Sequence, residues 1–571
     1  MAETNPDRSI DPNSGFCSLT KTYHSLRPHV PLPPPSQPLS ITEFTLSLLR
    51  SVTTINPATS LLINAVTGQR LSYADFFRQT SSLALSLRNR YSLSKGDVAF
   101  LLCPSSLHVP VLYFSLLSLG VVVSLANPIS SDSEIAHQLQ LTRPSIAFAT
   151  SQTSRKIPSN LRTIVIDSPD FLSLSTQNQF NNSSSANSTL VVDQSDAAAV
   201  LFSSGTTGKV KGVVLTHRNL IALIAGLYHL KTESSPNEPP EPHPVSLITV
   251  PLFHVFGFII LVQAVSLGET LVFMEMFDFE TMLKSVEKYR VVSMPVSPPL
   301  IVAFVKSELT KKYDLSSLQM LGCGGAPLGK DVADKFKEKF PDVEITQGYG
   351  LTETGGAAAR TIGPDEINQH GSVGRLYELM EAKIVDPVTG EALPPGSRGE
   401  LWLRGPTIMK GIEANDAFAT SNQICENYGV SAGYVGDEKA TAETLDSEGW
   451  LKTGDLCYFD SDGFLFIVDR LKELIKYKAY QVPPAELEHL LHSNPEIADA
   501  AVIPYPDEEA GQIPMAFVVR KPGSKITEAQ VAPYKKIRRV AFINSIPKSP
   551  AGKTLRRELV NYAHSGNLSK L

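Results

Sequence analysis

Residues 201–216 read L-F-S-S-G-T-T-G-K-V-K-G-V-V-L-T and form a polar loop between two apolar runs. The runs, 197–202 and 213–215, have the composition of strands. Glycines let the loop backbone approach a ligand closely, while hydroxyls and successive N–H groups can bind an anion, with Lys209 or Lys211 adding positive charge. We therefore predict a loop that holds a polyphosphate. Its candidate phosphate-binding residues are Ser203, Ser204, Gly205, Thr206, Thr207 and Lys209.

Two other interpretations of this loop are weaker. A Walker A loop needs G-x-x-x-x-G-K-[ST], but Val210 follows Lys209, so no hydroxyl is in place for magnesium. The loop does not match G-x-G-x-x-G either. A flexible surface turn would explain an isolated Ser/Gly stretch, yet so many specified positions between two strand-like runs favour phosphate binding.

The loop closely resembles the phosphate loop of the adenylate-forming superfamily, which includes acyl-CoA synthetases, 4-coumarate–CoA ligases and beetle luciferases. The resemblance runs from about residue 40 to the C-terminus and is greatest to plant 4-coumarate–CoA ligase-like proteins. It recurs in order in the motifs P-L-F-H-V-F-G (251–257), G-C-G-G-A-P-L (322–328), Q-G-Y-G-L-T-E-T (347–354), W-L-K-T-G-D (450–455), K-Y-K-A-Y-Q (476–481) and S-P-A-G-K (549–553).

The resemblance implies an α/β fold with a large N-terminal domain of stacked mixed sheets and flanking helices, plus a small mobile α+β C-terminal domain. It also implies an AMP-forming acid–thiol ligase with ATP and CoA as co-substrates and Mg²⁺ as cofactor. The expected divisions are a Pro-rich arm at 1–40, an adenylation domain at 41–470, a C-terminal domain at 471–568 and a tail at 569–571.

The apolar content is ordinary for a soluble globular protein. At 571 residues the chain needs more than one domain, and its net charge of −6 gives no indication of nucleic-acid binding. The five cysteines contain no C-x-x-C pair, which indicates a reducing compartment and neither zinc nor a disulfide framework. No secretory signal or membrane-spanning run is evident, the longest apolar stretch being 255–267.

The chain ends in Ser569-Lys570-Leu571, a tripeptide that a peroxisomal import receptor reads. We therefore expect a peroxisomal protein, with the cytosol as the alternative. An arbitrary polar tail would look the same, but acyl activation by this family commonly occurs in peroxisomes.

Local patterns predict several elements. The polar, Pro-rich residues 1–38 should form a loosely ordered arm, with a helix starting at Ile41 and an amphipathic helix at 72–87. Apolar runs at 98–102 and 121–124 flank an apolar helix, which is a βαβ pattern and predicts a parallel sheet. The other elements alternate in the same way.

The resemblance implies roles for residues at the matching positions. Alone, His254 would be a satisfied core histidine, Thr352-Glu353 a helix cap and Lys553 a solvated turn residue. The implied catalytic residues are Lys553, His254, Thr352, Lys476 and Gln481. The implied AMP-binding residues are Gly324, Gly325, Ala326, Gln347, Gly348, Tyr349, Thr352, Asp455 and Arg470. The implied acyl-pocket residues are Phe256, Gly257, Ile260, Gly325 and Gly348. Lys478 and Ala479 would contact CoA, and Lys472 would be the hinge.

The chemistry of these side chains suits adenylation. Glu353 offers the hard oxygen that Mg²⁺ prefers, Tyr349 a flat face for adenine, and Asp455 two acceptors for ribose hydroxyls. Joining two anions needs positioning and cations rather than a protein nucleophile. Lys553 would serve this step, and a rotation about Lys472 would then bring the CoA-binding face to the acyl-AMP.

The acid is the least specified part. The 4-coumarate ligases carry tyrosine where this chain has Phe256, and an apolar wall disfavours a buried phenolic hydroxyl. We predict a medium- or long-chain fatty acid or a jasmonate-precursor-type acid. A hydroxycinnamate such as 4-coumarate is the alternative.

The chain departs from the family at three places. Residues 412–433 are inserted before Tyr434-Val435-Gly436, and the segment at 530–531 is shortened by roughly two helical turns, which together indicate alternative splicing or a gene-model error. Met276 stands where relatives often have a basic CoA contact. A catalytically impaired paralogue that binds only nucleotide is therefore a second hypothesis, and a luciferase-like oxidation a remote third.

Overall fold

The computed structural model describes residues 9–51, 56–176, 191–203, 210–233, 243–326, 328–410, 433–477, 480–531, 537–549 and 552–564. The fold is mixed α/β, as predicted, and consists of four sheets with flanking helices.

The strands in chain order are β1 Phe16–Cys17, β2 Thr22–His24, β3 Ser60–Asn64, β4 Arg70–Ser72, β5 Val98–Leu102, β6 Val122–Leu125, β7 Ile146–Ala149, β8 Thr163–Val165, β9 Ala197–Ser203, β10 Lys211–Thr216, β11 Val245–Ile248, β12 Thr270–Phe273, β13 Ser293–Val296, β14 Met320–Cys323, β15 Glu344–Tyr349, β16 Ala359–Arg360, β17 Arg375–Leu376, β18 Glu381–Val385, β19 Gly399–Arg404, β20 Leu451–Phe459, β21 Leu465–Arg470, β22 Ile475–Tyr477, β23 Tyr480–Val482, β24 Ile497–Asp507, β25 Gly511–Arg520 and β26 Arg539–Phe542.

The helices are α1 Ile41–Ser51, α2 Tyr73–Tyr91, α3 His108–Ser118, α4 Asp132–Thr142, α5 Pro169–Thr176, α6 His217–Glu233, α7 Val255–Leu267, α8 Phe279–Tyr289, α9 Pro298–Lys306, α10 Lys330–Lys339, α11 Gly363–Ile367, α12 Glu438–Thr444, α13 Pro484–Ser493, α14 Glu528–Val531 and α15 Arg556–His564. Short 3₁₀ turns lie at Ser154–Lys156, Glu308–Lys312 and Thr352–Thr354.

The first six-stranded sheet has the order β10-β9-β6-β5-β7-β8, and we call it the phosphate-loop sheet. The predicted βαβ unit is confirmed, because β5 and β6 pair in parallel and α3 connects them. The two apolar runs around the predicted phosphate loop are also strands. They pair antiparallel with Ser203 opposite Lys211, so both ends of the loop lie at one edge of this sheet.

A nine-stranded sheet of order β17-β16-β15-β14-β13-β11-β12-β3-β4 forms the second layer. Its central strands, from β15 to β3, pair in parallel, and the strand ends at Cys323 and Tyr349 therefore meet at one edge. Ligands of parallel α/β sheets bind at the carboxyl ends of the strands. Several predicted nucleotide-binding residues follow these two strand ends.

The third sheet is antiparallel, with the order β1-β2-β18-β19-β20-β21. Its first two strands come from the Pro-rich arm, so the prediction of a loosely ordered arm is wrong for the residues from 9 onward. Tyr23 is fully buried and stacks on Phe459 with ring centroids 4.2 Å apart. Arg27 forms a buried double hydrogen bond with Glu366, at 2.5 and 2.6 Å. These contacts attach the arm to the antiparallel sheet through Tyr23 and to helix α11 through Arg27.

The predicted helices at 41–50 and 72–87 are confirmed as α1 and α2. Ser72 caps α2 by accepting from the Asp75 N–H, and Phe76, Leu83 and Leu87 are fully buried on one face, as their spacing predicts. The apolar helix α7 is buried and contacts α1 and α6. None of the helices in the described ranges is long and apolar enough to cross a membrane.

The fourth sheet belongs to the C-terminal part, with the order β23-β22-β25-β24 and β26 beside β25. The last strand of the third sheet ends at Arg470, and the first strand of the fourth sheet begins at Ile475. We propose that the domain boundary lies between these two residues. Helix α14, at the place where the sequence predicts a shortened segment, has 4 described residues. Val531 and Ile537 are nevertheless buried in the core of this domain.

The described cysteines, Cys17, Cys103, Cys323 and Cys457, are buried and free.

Candidate active site

A cavity of about 700 Å³ lies between the large domain and the C-terminal domain, and we call it the interdomain cavity. Predicted site residues from distant parts of the chain line it: Gly325, Ala326, Gly348, Tyr349, Asp455, Arg470 and Lys553. Val373 and Ile467 add apolar surface. The cavity therefore combines two glycine-rich strand ends, a carboxylate, an aromatic ring and a lysine from the small domain.

Asp455 is a buried carboxylate of this cavity, and Tyr349 and Arg470 hold its side chain from two sides. The Tyr349 hydroxyl donates to Oδ2 at 2.6 Å, and the Arg470 Nε lies 3.4 Å from Oδ1. Asp455 and Arg470 are cross-strand neighbours of β20 and β21. Burial raises the pKa of Asp455 above its ordinary value, while the Arg470 charge opposes that shift. The arrangement fixes the carboxylate that the sequence predicts to accept the ribose hydroxyls.

Lys553 enters the cavity from a tight loop of the small domain. The Ser549 hydroxyl accepts from the Lys553 N–H at 3.1 Å, and the Ser549 N–H donates to the Lys553 carbonyl at 2.8 Å. Gly552 has φ +80°, which the turn needs and which only glycine adopts readily. Burial, with the nearby Arg470 charge, lowers the pKa of Lys553 to about 8. A desolvated cation is thus presented to the cavity.

Glu353 lies below the phosphate-loop hairpin in the turn Thr352–Thr354 and is 9 % exposed. Its Oε1 accepts from Ser203 Oγ at 3.3 Å and from the Tyr434 hydroxyl at 2.8 Å. Thr352 is buried beside it. Of the predicted phosphate-binding residues, Ser203 is described, whereas Ser204, Gly205, Thr206, Thr207 and Lys209 lie outside the described residues.

The residues around Glu353 fit a magnesium ion that is shared with substrate phosphates. Within the described ranges, Glu353 Oε2 accepts no hydrogen bond, and no three His, Cys, Asp or Glu side chains gather as a metal cluster. Mg²⁺ usually binds through one or two carboxylates plus substrate phosphates. A single buried carboxylate with one oxygen held and one available matches that donor set.

His254 caps helix α7, because its Nδ1 accepts the Phe256 N–H at 3.3 Å. Burial lowers the pKa of His254, and the positive charge of Lys553 lowers it further. The ring is therefore neutral near pH 7, and since Nδ1 is an acceptor the proton lies on Nε2. His254 can donate a hydrogen bond from this nitrogen.

Three of the five predicted acyl-pocket residues, Phe256, Gly257 and Ile260, lie on helix α7, which His254 caps. A Cβ added to Gly324 would lie 3.8 Å from the Phe256 ring, so this ring lies against the glycine-rich strand end. Ile260 is half-buried one turn further on. Gly257 packs closely against the Pro251 carbonyl, where a Cβ would approach to 2.1 Å, so its lack of a side chain is required by that contact.

Three predicted nucleotide-binding residues, Gly324, Gln347 and Thr352, are not part of the cavity lining. Gln347 pairs through its backbone with Thr361, donating to Oγ1 and accepting from the N–H, both at 2.9 Å. Gly324 directly precedes Gly325 and Ala326, which do line the cavity.

The residues predicted for the CoA step are separate from the cavity. Lys476 and Gln481 are opposite each other on the β22–β23 hairpin, and both are exposed. Lys472, the predicted hinge, is exposed in the connection between the last strand of the large domain and β22. Lys478 and Ala479 lie outside the described residues. The structure thus brings Lys553 to the cavity, while the described Lys476 and Gln481 are exposed to solvent.

Three groups at the site were missed by sequence reasoning. Tyr434 contacts Glu353, and the pattern G-Y-V-G-D that marked the insert could have indicated it. Arg556 bridges Glu473 and Glu488 behind Lys553, each at 2.6 Å. These ion pairs give no local sequence signal, because the partners are far apart in the chain.

Lys306 is the third missed group. Its Nζ donates to the carbonyls of Ile497 and Ala498 at 2.9 and 3.2 Å, which links the large domain to the small one. Burial lowers the pKa of Lys306 to about 8. A lysine near the end of a helix carries no pattern that would have revealed this contact.

Comparison with known proteins identifies the family. The sequence model described as "AMP-binding enzyme" matches residues 53–412, and that described as "AMP-binding enzyme C-terminal domain" matches residues 486–553. The chain is 59% identical over 592 residues to 4-coumarate–CoA ligase-like 9 of Arabidopsis thaliana, covering 100% of both. It is 43% identical over 578 residues to peroxisomal OPC-8:0-CoA ligase 1 of the same plant, covering 98% of this chain and 99% of that one.

Solved structures support the fold. ATP-bound MatB from Rhodopseudomonas palustris superposes with a TM-score of 0.76 at 22% identity, covering 92% of this chain and 99% of that one. The o-succinylbenzoate CoA synthetase MenE from Bacillus subtilis, in complex with OSB-AMP, gives 0.71 at 24% identity, covering 90% and 97%. With its sequence relatives and its fold, the chain belongs to the adenylate-forming superfamily as a plant 4-coumarate–CoA ligase-like protein, an AMP-forming acid–thiol ligase.

Proposed function

We propose that this ligase activates a carboxylic acid with an apolar body in two steps, first as an acyl-AMP and then as a CoA thioester. The observation that carries this proposal is the position of Lys553. A lysine from the small domain shares one cavity with Asp455, Tyr349 and Arg470 of the large domain. That arrangement suits the first step, because a cation is presented beside the residues that would hold AMP.

In the first step a substrate carboxylate oxygen attacks the α-phosphorus of ATP, the bond to the β-phosphate oxygen breaks, and pyrophosphate leaves. Asp455 accepts the ribose hydroxyls, and Tyr349 supplies a flat surface for adenine. Lys553 offsets the negative charge that develops around the α-phosphate, in a site where burial strengthens the interaction. Magnesium, when bound, would be held by Glu353 and would neutralise charge on the phosphates.

His254 positions the acid. Its Nδ1 is engaged by the backbone, so Nε2–H can donate to the substrate carboxylate or to the acyl carbonyl. Thr352 is proposed to contact the same oxygens, although it is buried away from the cavity lining.

In the second step the CoA sulfur attacks the acyl carbon, the thiol proton is lost, and AMP leaves as the thioester forms. Lys476, Gln481, Lys478 and Ala479 are the proposed residues of this step. The first two are exposed and away from the cavity that contains Lys553. One arrangement of the domains therefore cannot serve both steps, and we propose a rotation of the small domain about Lys472.

The acid is proposed to be a medium- or long-chain fatty acid or a jasmonate-precursor-type acid. Phe256 lies against Gly324 and offers no hydroxyl, and Ile260 extends the apolar surface. A phenolic hydroxyl buried against such a wall would lose its hydrogen bonds to water without replacement. One relative is named for OPC-8:0 and another for 4-coumarate, so the names of the relatives do not distinguish the two acids. The proposal therefore rests on the residues of the acyl pocket.

We also propose a peroxisomal location through Ser569-Lys570-Leu571, which lie outside the described residues. A relative at 43% identity is named as peroxisomal. Fusion of a fluorescent protein to the N-terminus, compared with a chain lacking the last three residues, tests this proposal. A cytosolic distribution of the full fusion would contradict it.

The function is tested by measuring pyrophosphate release and acyl-CoA formation with fatty, oxylipin and hydroxycinnamic acids. We expect the apolar acids to exceed 4-coumarate in kcat/KM. The matched variant Phe256→Tyr introduces a hydroxyl that can bind the substrate phenol. It should raise kcat/KM for 4-coumarate about 10-fold, which is the contribution of one hydrogen bond.

A wild-type preference for 4-coumarate would refute the proposed acid while leaving the ligase activity intact. ATP binding without pyrophosphate from any acid would instead indicate the impaired paralogue.

A further inference from the structure

Tyr434 is a buried aromatic residue at the exit of the phosphate-loop hairpin. Its side chain is 6 % exposed, and its hydroxyl donates to Glu353 Oε1 at 2.8 Å. The Lys211 ammonium lies over its ring, 4.3 Å from the centroid. One side chain thus contacts both the carboxylate and one of the lysines that sequence analysis assigned to the ATP-phosphate region.

The backbone fixes Tyr434 in this position. Tyr434 forms a β-bridge with Val213 of β10, and the Val435 N–H donates to the Gly212 carbonyl at 2.8 Å. Its own N–H donates to Thr441 Oγ1 at 3.0 Å. The residue is therefore held by the strand that leaves the phosphate loop.

The chain contacts Glu353 on both sides of the inserted residues. Before them, the Met409 N–H donates to the Glu353 carbonyl at 2.8 Å; after them, the Tyr434 hydroxyl donates to the Glu353 carboxylate at the same distance. The insertion therefore leaves both contacts with Glu353 in place.

The two hydrogen bonds to Glu353 have a common target. Tyr434 and Ser203 both donate to Oε1, and among the described residues none donates to Oε2. A carboxylate that is held through one oxygen cannot rotate freely, so the direction of its second oxygen is fixed. Groups that orient a ligating carboxylate commonly contribute tenfold or more to metal affinity.

We propose that Tyr434 is a positioning residue for the Mg²⁺–ATP step, orienting Glu353 so that Oε2 is available to the metal and holding Lys211 beside the phosphates. This inference rests on the proposed role of Glu353. Tyr434 itself touches neither metal nor substrate in this assignment, and it acts through the carboxylate.

The test compares ATP binding with Mg²⁺ and with EDTA by isothermal titration calorimetry, in the full-length enzyme. In the wild type, Mg²⁺ should strengthen ATP binding. Tyr434→Phe keeps the ring and the Lys211 contact but removes the donor, and it should lose roughly tenfold in this Mg²⁺ enhancement while binding Mg²⁺-free ATP normally. Because the ATP affinities with Mg²⁺ and with EDTA are compared within the same variant, a general loss of stability does not mimic a change in their ratio.

Tyr313→Phe is the matched control, because the Tyr313 hydroxyl donates to the Glu280 carboxylate at 2.5 Å and neither residue lines the cavity. It should leave the enhancement unchanged. In a Glu353→Gln background, Tyr434→Phe should have no further effect, since the residue acts through that carboxylate.

An unchanged enhancement in Tyr434→Phe would overturn the proposal, and so would an equal loss with and without Mg²⁺ or full additivity with Glu353→Gln. If Glu353→Gln alone keeps the enhancement, the magnesium role of Glu353 fails and this inference fails with it. Pyrophosphate release by the wild type would still support the ligase itself, so the two failures are distinguishable.

Discussion

The buried charge of Lys553 predicts a pH dependence of the first half-reaction. Burial and the Arg470 charge lower the pKa of Lys553 to about 8 from its ordinary 10.5. The group offsets negative charge only while it is protonated, so raising the pH through 8 removes the cation and slows adenylation. A lysine exposed to solvent would keep its charge over the same range.

The size of the effect follows from the pKa. A lysine of pKa about 8 is roughly 90% protonated at pH 7 and roughly 10% at pH 9, whereas one at 10.5 is still about 97% protonated at pH 9. We therefore expect kcat/KM for ATP to fall about tenfold between pH 7 and 9, since this parameter reports the free enzyme. Bound phosphates favour the charged form, so the decline in kcat should occur at higher pH.

The assay is pyrophosphate formation at subsaturating ATP without CoA, which removes the thiol from the experiment. Lys306 also has a pKa lowered to about 8, so its titration must be separated from that of Lys553. Lys553→Arg stays charged at all these pH values and should give a lower but flat profile. Lys306→Gln keeps a donor but cannot titrate, and its profile should still decline.

A wild-type kcat/KM that stays constant to pH 9 would refute the reasoning. A decline that disappears in Lys306→Gln but persists in Lys553→Arg would assign the pH dependence to domain docking instead. His254 does not interfere, because burial lowers its pKa below the range in question.

Two further predictions concern contacts that hold the domains and the arm. Lys306→Met removes the hydrogen bonds to the Ile497 and Ala498 carbonyls. Pyrophosphate formation should therefore fall about tenfold, while acyl-CoA formation from supplied acyl-AMP should change less. Equal losses in both assays would contradict a docking role for Lys306. Arg27→Met leaves the buried Glu366 carboxylate without its ion-pair partner, so the free energy of unfolding in urea should fall by about 3 kcal/mol. Adding Glu366→Leu should recover most of this loss. An Arg27→Met protein as stable as the wild type would show that the ion pair does not contribute to stability.

Local sequence patterns predicted the elements that build the site better than their assembly. The hairpin around 201–216 and the βαβ unit at 98–125 are continuous in sequence, so periodicity and turn residues define them. The strands of the N-terminal arm are two and three residues long, which is too short for any periodicity. Their pairing depends on Tyr23 meeting Phe459, a contact over most of the chain length that composition cannot indicate.

The site shows the same difference. The motifs marked Asp455, Tyr349 and Lys553 individually, and the structure brings these three to one cavity. Their relative position depends on how a small domain docks, and the docking contact of Lys306 is between a side chain and backbone carbonyls. Since every residue has a carbonyl, the partner of such a lysine leaves no trace in the sequence.

The character of this docking contact bears on the two-step chemistry. Among the described residues, the hydrophobic clusters of the large domain end before residue 470 and those of the C-terminal domain begin after it, so none spans the boundary. The crossing contacts include polar and small groups: Lys306 donates to two carbonyls, the Asp469 carboxylate accepts from the Ala485 N–H at 2.9 Å, and Gly552 lies against Ser297. Such contacts exchange readily with water, whereas a shared apolar core would have to be exposed. We infer that the small domain can leave this position at low cost. The proposed second step requires such a movement, because the exposed Lys476 and Gln481 would have to reach the acyl-AMP that Lys553 is proposed to help form.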